Sequence, residues 1–451
     1  MFKKILIANR GEIALRVIRA CQELGVRSVI AYSEADRDSL PVRMADERIC
    51  IGPAQSAKSY LNIPNIITAA LLTGSEGIHP GYGFLSENPS FAELCQDTRL
   101  VFIGPPPAAM VTMSDKTQAR QAMQEAGLPV LPGTDILRTV GEGEAEAERI
   151  GFPLMLKAAA GGGGRGIRLV HRAEEFAHVF TTAQSEVREA FQDDGLYLEK
   201  YLSHARHVEV QVLCDNHGAG VHLGERNCSV QRRHQKLLEE SPSPGLPEKV
   251  RREMGERAIK AALAIKYRGV GTLEFLVDDA NRYYFMEMNT RLQVEHPVTE
   301  LVTGIDLVQA QLRVAAGEHL GLTQDQVKAN GHAIEFRITA EDSTRDFRPQ
   351  TGVIKDYLPP GGPGVRVDSH LFTHYEIPPH YDSLLAKLIV WAPTREEAIA
   401  RGQRALAEFV LEGVPTTIPF HQQLLANPRY LRGEMYTNFL AEHAAELAVN
   451  A

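Results

Sequence analysis

Long apolar runs, paired cysteines and an excess of basic residues are all missing from this 451-residue chain. No stretch approaches the roughly 18 consecutive apolar residues that a membrane span requires, so we expect no transmembrane segment and no membrane partner. The five cysteines are scattered without a CxxC pair, which argues against a disulfide framework or zinc knuckle and suits a cytoplasmic protein. The 57 acidic residues outnumber the 48 basic ones, and this balance argues against binding of nucleic acids.

What is present is an ordinary globular composition, with 44% hydrophobic and 23% charged residues. The length predicts about three domains, at roughly 100–200 residues each. The apolar run from Lys4 to Ala8 predicts a buried strand, and the next segment places its apolar residues on one helix face before Gly25 ends it. Because strand and helix signals continue to alternate, we expect a doubly wound parallel sheet in an α/β (α+β overall) fold.

Breaks in these patterns divide the chain into five parts. The run Gly-Pro-Pro-Pro at residues 104–107 lies near the end of the first part, and a helix with Ser114 as its N-cap forms the second. We expect an N-terminal α/β domain over 1–112, a helical linker over 113–126, a lid with a glycine flap over 127–202, a catalytic core over 203–330 and a C-terminal β-rich domain over 331–451.

A glycine-rich loop, KAAAGGGGRG, carries the first chemical signal. Gly161, Gly163 and Gly166 formally satisfy GxGxxG, but a strand-like segment follows the loop where a dinucleotide-binding motif needs a helix. Bare backbone N–H groups between basic residues favour a flap that closes over phosphates, and a merely flexible turn is the alternative. The later segment YLEKYL can offer its backbone to an adenine edge, although by itself an ordinary strand explains it better.

Two glutamates on facing strands predict a magnesium site. If Val277 pairs with Arg282 in a hairpin, Glu287 becomes the diagonal neighbour of Glu274, with Cα atoms about 7–8 Å apart. Carboxylates held side by side repel each other unless a cation lies between them, and Mg²⁺ takes one or two carboxylates with phosphate oxygens. Asn289 adds a neutral oxygen on the same face. Two solvated surface glutamates are the alternative, but the apolar strands around them make it the weaker one.

Two polar runs supply groups for an anion and for proton transfer. Arg291, Gln293 and Glu295 alternate after the metal strand, so they can bind an oxyanion, orient it and accept a proton. The run QRRHQK is rich in donors, although a solvated face is the usual outcome for such a run. Alternation in RHVEVQV separates His207 from the valines, and there contact with a nucleotide or a structural role is favoured over zinc.

Taken together, these segments resemble the biotin carboxylase family of the ATP-grasp superfamily over nearly the whole chain. The matching segments are ILIANRGEIALRVIRA, HPGYGFLSEN, MSDK, KAAAGGGGRGIR, YLEKYL, RHVEVQV, ERNCSVQRRHQK, GTLEFL, EMNTRLQVEHPVTE, GHAIEFRITAED and YDSLLAKLI. Their order and spacing make a chance similarity implausible. Two positions depart from the family pattern: Ala160 stands where some members extend the glycine run, and Thr339 replaces the more usual asparagine.

The resemblance implies an ADP-forming ligase that carboxylates biotin on a carrier protein, using ATP, bicarbonate and Mg²⁺ or Mn²⁺. Bicarbonate is first phosphorylated to carboxyphosphate, which breaks down to CO₂ and phosphate beside biotin. The implied role is that of the separate biotin carboxylase subunit of acetyl-CoA carboxylase, which catalyses the first half-reaction of that enzyme in fatty acid synthesis. The biotin carboxylase subunit of pyruvate or propionyl-CoA carboxylase is the alternative.

The same resemblance implies site residues by position. The implied ATP-binding residues are Lys116, Lys157, Gly163, Gly164, Glu199, Lys200, Tyr201, Leu202, His207, Gln231, His234, Glu274, Leu276 and Glu287. The implied metal ligands are Glu274, Glu287 and Asn289, and the implied bicarbonate site is Lys236, Arg291, Gln293 and Val294. The implied catalytic residues are Arg291, Lys236, Glu295 as the base and Arg337 as the group that stabilises the biotin enolate, with Tyr82 and Gly83 near biotin.

The implied partners are a biotin carboxyl carrier protein and carboxyltransferase subunits. No AMKM-like motif occurs, so we expect no covalently attached biotin on this chain. A helix face with Arg16, Arg19 and Glu23 resembles the family's dimer contact and implies a homodimer. Two other hypotheses are weaker: a different ATP-grasp ligase would lack the RLQVEHP and RRHQK segments, and a non-catalytic nucleotide-binding protein would lack a base or a metal ligand. A dinucleotide oxidoreductase fails on the context of its motif.

Overall fold

A five-stranded parallel sheet in the order β3-β2-β1-β4-β5 opens the fold. The computed structural model describes residues 1–158, 167–191 and 194–447, so the predicted glycine flap, with Gly163 and Gly164, lies outside the described residues. Alternate side chains of the central strands enter two separate cores, one on each face of the sheet, which confirms the doubly wound prediction. The strands are β1 (Lys4–Ile7), β2 (Arg27–Ser33), β3 (Glu47–Gly52), β4 (Gly77–His79) and β5 (Val101–Phe102).

Helices cover both faces of this first sheet. They are α1 (Gly11–Leu24), α2 (Leu40–Met44), α3 (Ile63–Leu72), α4 (Pro89–Asp97) and α5 (Pro107–Ser114). Gly25 ends α1 in the left-handed conformation, at a φ of 69°, as its position predicted. Arg16 on α1 is buried, and its guanidinium lies 2.9 Å from Glu300 and 2.7 Å from Asp306 of the same chain. Arg16, one of the residues of the predicted dimer face, thus forms ion pairs within its own chain.

The helical link after the first sheet is broken at Asp115. Helix α6 (Lys116–Glu125) starts there, and the Asp115 carboxylate accepts hydrogen bonds from Thr117 and Gln118 N–H at 2.9 Å each. The prediction of Ser114 as the N-cap is therefore wrong. The Ser114 hydroxyl instead donates to a carbonyl of α5, and the carboxylate one position later is the better cap because it also faces the positive end of the helix dipole.

A small antiparallel sheet in the order β7-β6-β8 forms the next unit. Its strands are β6 (Leu154–Ala158), β7 (Arg168–Val170) and β8 (Leu196–Lys200), and its helices are α7 (Val140–Ile150) and α8 (Ala173–Phe191). Because β6 and β7 pair on either side of the glycine-rich segment, the predicted strand–loop–strand context is confirmed. Phe176 and Phe180 of α8 pack with Leu154 and Leu156 of β6 in a core of their own.

An eight-stranded sheet in the order β13-β12-β9-β10-β11-β14-β21-β19 carries most of the remaining chain. Its strands are β9 (Arg206–Cys214), β10 (Gly220–Arg232), β11 (Gln235–Ser241), β12 (Gly269–Val277), β13 (Tyr283–Asn289), β14 (His332–Thr339), β19 (Val365–Ser369) and β21 (Leu384–Ala392). The smaller strands are β15 (Glu341–Asp342), β16 (Arg348–Pro349), β17 (Gly352–Val353), β18 (Asp356–Leu358), β20 (Glu376–Ile377) and β22 (Val410–Glu412). The chain after residue 331 thus extends the sheet that the preceding segment begins, and the two join where β11 pairs with β14.

Helices pack on this large sheet and bury a second set of cores. They are α9 (Glu248–Ala264), α10 (His296–Thr303), α11 (Leu307–Ala315), α12 (Arg395–Glu408), α13 (Ile418–Ala426), α14 (Pro428–Leu431) and α15 (Phe439–Glu442). Among the described residues, no helix combines the length and the apolar character that a membrane span needs.

Candidate active site

A cleft of about 1330 Å³ lies between the three-stranded sheet, the eight-stranded sheet and the loop after β4. It brings together, from stretches far apart along the chain, nearly all the residues that the sequence singled out. Those that line it are Tyr82, Gly83, Lys116, Lys157, Glu199, Lys200, Tyr201, Leu202, His207, Gln231, His234, Lys236, Glu274, Leu276, Glu287, Asn289, Arg291, Gln293, Val294 and Arg337. Glu295 lies just behind the lining and is completely buried.

The two carboxylates of the predicted metal site are directly opposite each other. Glu274 on β12 pairs in register with Glu287 on β13, so the predicted diagonal arrangement is wrong. The hairpin turn is longer than expected, because Val277 pairs with Tyr283. A β-bulge at Met286 then shifts the register by one residue and returns Glu287 to the face of Glu274.

Glu274 is the most heavily hydrogen-bonded carboxylate of the cleft. Its Oε1 accepts from Lys236 at 2.9 Å, from Asn289 at 2.8 Å and from Gln293 at 3.1 Å, while His207 Nε2 lies 3.0 Å from its Oε2. Burial opposes ionisation, but Lys236 and His207 outweigh it and hold the pKa of Glu274 well below its ordinary value. This group is therefore an anion across the physiological pH range.

Glu287 has the opposite character. Enclosure in the cleft, followed by the nearby charge of Glu274, raises the pKa of Glu287. Among the described residues, none donates a hydrogen bond to its carboxylate. An unsatisfied carboxylate facing a second carboxylate, with the amide of Asn289 beside them, is an oxygen ligand set that fits Mg²⁺. The residues present thus fit the predicted ion, although Glu274 and Asn289 must exchange present hydrogen bonds to bind it.

Lys236 stands at the centre of the buried charges. Its ammonium group lies 2.5 Å from Glu209, 2.9 Å from Glu274 and 2.7 Å from Glu295. Burial alone would favour the neutral amine, but these three carboxylates outweigh it and raise the pKa of Lys236 well above its ordinary value. A single cation therefore links the metal site to the predicted base.

Glu295 is held between two cations. Its Oε1 is the acceptor for Lys236, and its Oε2 lies 3.0 Å from the guanidinium of Arg337. Burial opposes ionisation, yet Lys236 and Arg337, with Arg226 behind them, hold the pKa of Glu295 well below its ordinary value. Such a carboxylate is a weak base until one or both cations turn to another anion.

Hydrogen bonds to three side chains orient Arg291 at the edge of the cleft. It donates to Glu87 at 2.9 Å, to Gln293 at 2.9 Å and to Asn289 at 2.8 Å. Glu87 also accepts from the backbone N–H of Thr290 at 2.9 Å, so it ties the loop after β4 to the end of β13. The predicted anion-binding residues Arg291 and Gln293 are thus in direct contact.

Three family models match consecutive parts of the chain. They are the biotin carboxylase N-terminal domain over residues 1–110, the ATP-binding domain of the carbamoyl-phosphate synthase L chain over 115–323, and the biotin carboxylase C-terminal domain over 335–442. The chain belongs to the biotin carboxylase family. It is accordingly an ATP-dependent carboxylase of the ligase class with an ATP-grasp fold.

Relatives and solved structures agree with this assignment along the whole chain. A biotin carboxylase from a Nostoc species is 58% identical over 98% of this chain and 99% of its own length, and one of the subunits of pyruvate carboxylase from Methanothermobacter thermautotrophicus is 50% identical over 98% and 90%. A biotin carboxylase–β,γ-ATP complex from Campylobacter jejuni matches at a TM-score of 0.94 and 51% identity, over 98% of this chain and 99% of that one.

A second similar structure is described as a dimer with ligands. It is the biotin carboxylase domain dimer of a Hydrogenobacter thermophilus 2-oxoglutarate carboxylase, in complex with MgADP, ADP and bicarbonate. Its TM-score is 0.93 and its identity is 47%, with all of both chains covered.

On the three-stranded sheet of this biotin carboxylase family member, two predicted nucleotide-binding residues contact each other. Lys157 on β6 and Glu199 on β8 form an ion pair, and Arg120 lies 3.5 Å from the same glutamate. The ammonium of Lys200 donates instead to the backbone carbonyls of Gly151 and Phe152, at 2.8 and 2.9 Å. Lys200 thus stabilises the backbone just before β6.

The basic run 231–236 spans a tight hairpin between β10 and β11. Arg233 and His234 are its two central residues, both with positive φ, at 49° and 66°. Two-residue hairpins require this geometry, although bulky side chains adopt it rarely. The turn leaves His234 exposed at the cleft edge and puts Lys236, at the start of β11, on the inner side.

Three residues of the site were missed by sequence reasoning. Glu87 lies in HPGYGFLSEN and Glu209 in RHVEVQV, and neither glutamate was assigned a role from the sequence. Arg226 on β10 is fully buried and donates to Glu209 at 2.5 Å, to Gln211 at 2.7 Å and to Thr299 at 2.9 Å. These acceptors lie on β9 and α10, so the contacts of Arg226 are visible only once the fold is known.

Proposed function

We propose that this cleft carboxylates biotin held by a separate carrier protein, using ATP and bicarbonate through a carboxyphosphate intermediate. The observation that carries the proposal is the position of Glu295, a buried carboxylate held by Lys236 on one side and by Arg337 on the other. A base between two displaceable cations suits a reaction that brings in one small anion and then generates a second.

Bicarbonate is the first anion. In the proposal it binds to Lys236, Arg291, Gln293 and the backbone N–H of Val294, all of which line the cleft beside Glu295. When Lys236 turns from Glu295 to bicarbonate, the carboxylate loses its strongest opposing charge and becomes a stronger base. Glu295 then accepts the bicarbonate proton, so that a bicarbonate oxygen can attack the terminal phosphorus of ATP.

The phosphate groups need positive charge around them and little covalent help. Lys116 and Lys157 reach the cleft from α6 and β6 and are proposed to contact ATP. Glu274 and Glu287, with Asn289, would hold Mg²⁺, which would supply charge neutralisation for the transferred phosphoryl group. The lid sheet with its predicted flap is proposed to exclude water from carboxyphosphate, which hydrolyses readily.

Biotin is the source of the second anion. Arg337 reaches the cleft from β14, near Tyr82 and Gly83 of the loop after β4. We propose that phosphate released from carboxyphosphate takes the N1 proton of biotin and that Arg337 stabilises the enolate. The Tyr82 hydroxyl donates to Glu12 on α1, and this contact fixes the loop that faces Arg337.

The proposal extends to the molecule that finally receives the carboxyl group and to the subunits with which this chain assembles. The similarity to the biotin carboxylase of Nostoc supports the main hypothesis, a cytoplasmic biotin carboxylase subunit of acetyl-CoA carboxylase that serves a carrier and carboxyltransferase subunits. The similarity to a component of an archaeal pyruvate carboxylase supports the alternative acceptor, pyruvate. We also propose a homodimer, by analogy with the dimer of the 2-oxoglutarate carboxylase domain. The domain boundaries predicted from the sequence, after residues 112, 126, 202 and 330, are part of the same proposal.

The experiment is an ATP-cleavage assay from which Mg²⁺, bicarbonate and biotin are left out in turn. We expect no turnover without Mg²⁺ or bicarbonate and a marked stimulation by free biotin or a biotinylated carrier. If biotin has no effect and an amine stimulates turnover instead, the proposal is wrong and another ATP-grasp ligase activity takes its place.

A further inference from the structure

Behind Arg337, two buried glutamates face each other across the seam of the large sheet. Glu239 on β11 pairs in register with Glu335 on β14, and both residues are 0% exposed. Arg337 lies two positions after Glu335 on the same strand, so its side chain leaves the same face of the sheet. Its Nε donates to Glu239 Oε1 at 2.6 Å. The glutamate pair therefore lies directly beneath the arginine of the cleft.

Three of the four carboxylate oxygens in this pair lack a hydrogen-bond partner within the described parts of the chain. They are Oε2 of Glu239 and both oxygens of Glu335. The neighbouring Lys387 is directed elsewhere, because its ammonium lies 2.9 Å from the carbonyl of Val294 and 3.1 Å from Glu12. Burial of a carboxylate without a hydrogen-bond partner disfavours its ionised form, so the protonated form of Glu335 is favoured.

The charged groups around the pair leave this assignment unchanged. They are Lys236 from β11, Arg337 from β14, Lys387 from β21, Glu12 from α1, and Glu295 and His296 from the start of α10. Burial, then the nearby cations, holds the pKa of His296 well below its ordinary value, so this ring is neutral. Lys236 and Lys387 are each already paired with other carboxylates, which leaves Arg337 as the cation in contact with the pair.

Burial raises the pKa of both glutamates, and that of Glu335 the more strongly. It raises the pKa of Glu239 to about 7, against the opposing charge of Arg337. It raises the pKa of Glu335 well above the ordinary value, since Lys387 compensates only in part and Glu239 adds to the effect. As the pH rises above about 7, the pair therefore comes to carry one negative charge, on Glu239, while Glu335 keeps its proton.

We propose that Glu239 and Glu335 share one proton and together position Arg337, with Glu335 as the donor and Glu239 as the carboxylate. Directly paired residues on antiparallel strands have Cβ atoms about 4.5–5.5 Å apart, so a side-chain rotation brings the Glu335 O–H to the free Oε2 of Glu239. This inference rests on the proposed function, in which Arg337 moves between carboxylates and the biotin enolate.

The shared proton would stabilise Glu239 when Arg337 moves away from it. When Arg337 turns toward an anion in the cleft, Glu239 loses the only cation that contacts it among the described residues. A hydrogen bond from Glu335 then stabilises the carboxylate that is left behind, so no unpaired charge remains buried. The proton stays within the pair, and neither glutamate touches a substrate, so both are positioning residues.

Two substitutions of Glu335 separate hydrogen bonding from charge. Glu335→Gln keeps a neutral donor for Glu239, and we expect the biotin-dependent rate of ATP cleavage to stay within about twofold of the unaltered protein. Glu335→Leu removes the donor, and we expect a fall of about tenfold or more. Because a hydrogen bond to the charged form lowers a pKa, its loss should also move the pH inflection of that rate to higher pH. Glu376→Gln, at an exposed position on β20, is the control and should change nothing.

Infrared spectroscopy tests the proton without requiring turnover or the leucine variant. At neutral pH the unaltered protein should show the carbonyl stretch of a protonated carboxylic acid that Glu335→Gln lacks. No such difference band, a leucine variant equal to the unaltered protein in rate and pH profile, or a glutamine variant as slow as the leucine one would each overturn the inference. Failure of the proposed function is distinguishable, since the unaltered protein would then show no biotin-dependent rate while the infrared band persisted.

Discussion

The ammonium of Lys236 lies 2.7 Å from Oε1 of Glu295, and the two groups neutralise each other inside the cleft wall. The same ammonium also contacts Glu209 and Glu274, so one lysine compensates three carboxylates. In this state the predicted base is ionised but weak. Its activation is therefore coupled to whatever anion draws the lysine away, which makes binding of that anion a condition for proton transfer.

Replacing the base tests its role directly. Glu295→Gln keeps the size of the side chain and removes its ability to accept a proton, so we expect bicarbonate-dependent ATP cleavage to fall by about 10²–10⁴-fold. Steady-state kinetics at saturating ATP measure this. Glu93→Gln, an exposed substitution on α4, is the matched control. A Glu295→Gln enzyme with more than a tenth of normal activity would show that another group takes the proton.

Removing the central cation should weaken the fold. Lys236→Met leaves three buried carboxylates with less compensation, and we expect the free energy of unfolding to fall by about 3–5 kcal/mol. Urea denaturation measures it, with the exposed Lys249→Met as control.

The pH dependence of this loss has a definite sign. Since Lys236 lowers the pKa of Glu274 and of Glu295, its stabilisation is present above the unfolded carboxyl pKa of about 4.3 and disappears as the pH falls below that value. The gap between the Lys236→Met variant and the unaltered protein should therefore narrow in acid. A gap that widened there would contradict the assigned ion pairs.

Magnesium dependence tests the facing carboxylates. Glu287→Gln removes one of two ligand charges while sparing Glu274 and its partners, so we expect the Mg²⁺ concentration for half-maximal ATP cleavage to rise by roughly tenfold or more. Mg²⁺ titration of the assay provides the measurement, with Glu256→Gln at an exposed position of α9 as control. Equal Mg²⁺ curves for the two variants would place the ion elsewhere.

A buried histidine should make the protein sensitive to acid. Burial lowers the pKa of His421 to about 4, while its ring nitrogen hydrogen-bonds the carbonyl of Arg337 at 2.9 Å. The pKa of histidine in the unfolded chain is about 6.5, so the neutral His421 ring stabilises the fold fully only above that pH. As the pH falls from 6.5 toward 4, the free energy of unfolding should decrease by about 2–4 kcal/mol.

The His421→Gln variant removes this titration. Its free energy of unfolding should depend less steeply on pH between those values than that of the unaltered protein. His178→Gln, at an exposed position of α8, should keep the original slope. Parallel slopes for the His421→Gln variant and the unaltered protein would mean that His421 is not neutral in the fold.

Local patterns were enough to predict most elements of the fold. The apolar face of α1 and the β12–β13 hairpin follow from periodicity, while the first strands follow from short apolar runs, because they are buried on both faces of the sheet. The register of that hairpin did not follow. It depends on a turn in which Asp278 accepts a hydrogen bond from the N–H of Arg282, and on the bulge at Met286, and neither has a sequence signature of its own.

The charged interior of the site was beyond sequence reasoning for a different reason. Glu335 alternates with apolar residues on β14, and alternation of this kind normally indicates a solvent-facing side chain. Helix α10 covers that face instead and leaves Glu335 completely buried. Likewise, Arg226 and Glu209 meet only because β9 and β10 pair, so their contact depends on topology rather than on spacing.

The most direct test of the central claim follows oxygen from bicarbonate. Attack by a bicarbonate oxygen on the terminal phosphorus of ATP, followed by release of CO₂, leaves that oxygen on phosphate. Turnover with ¹⁸O-labelled bicarbonate and biotin should therefore give inorganic phosphate that carries one ¹⁸O atom, read by mass spectrometry, with loss of both label transfer and turnover in Glu295→Gln. Phosphate free of label during biotin-dependent turnover would contradict a carboxyphosphate intermediate in this cleft.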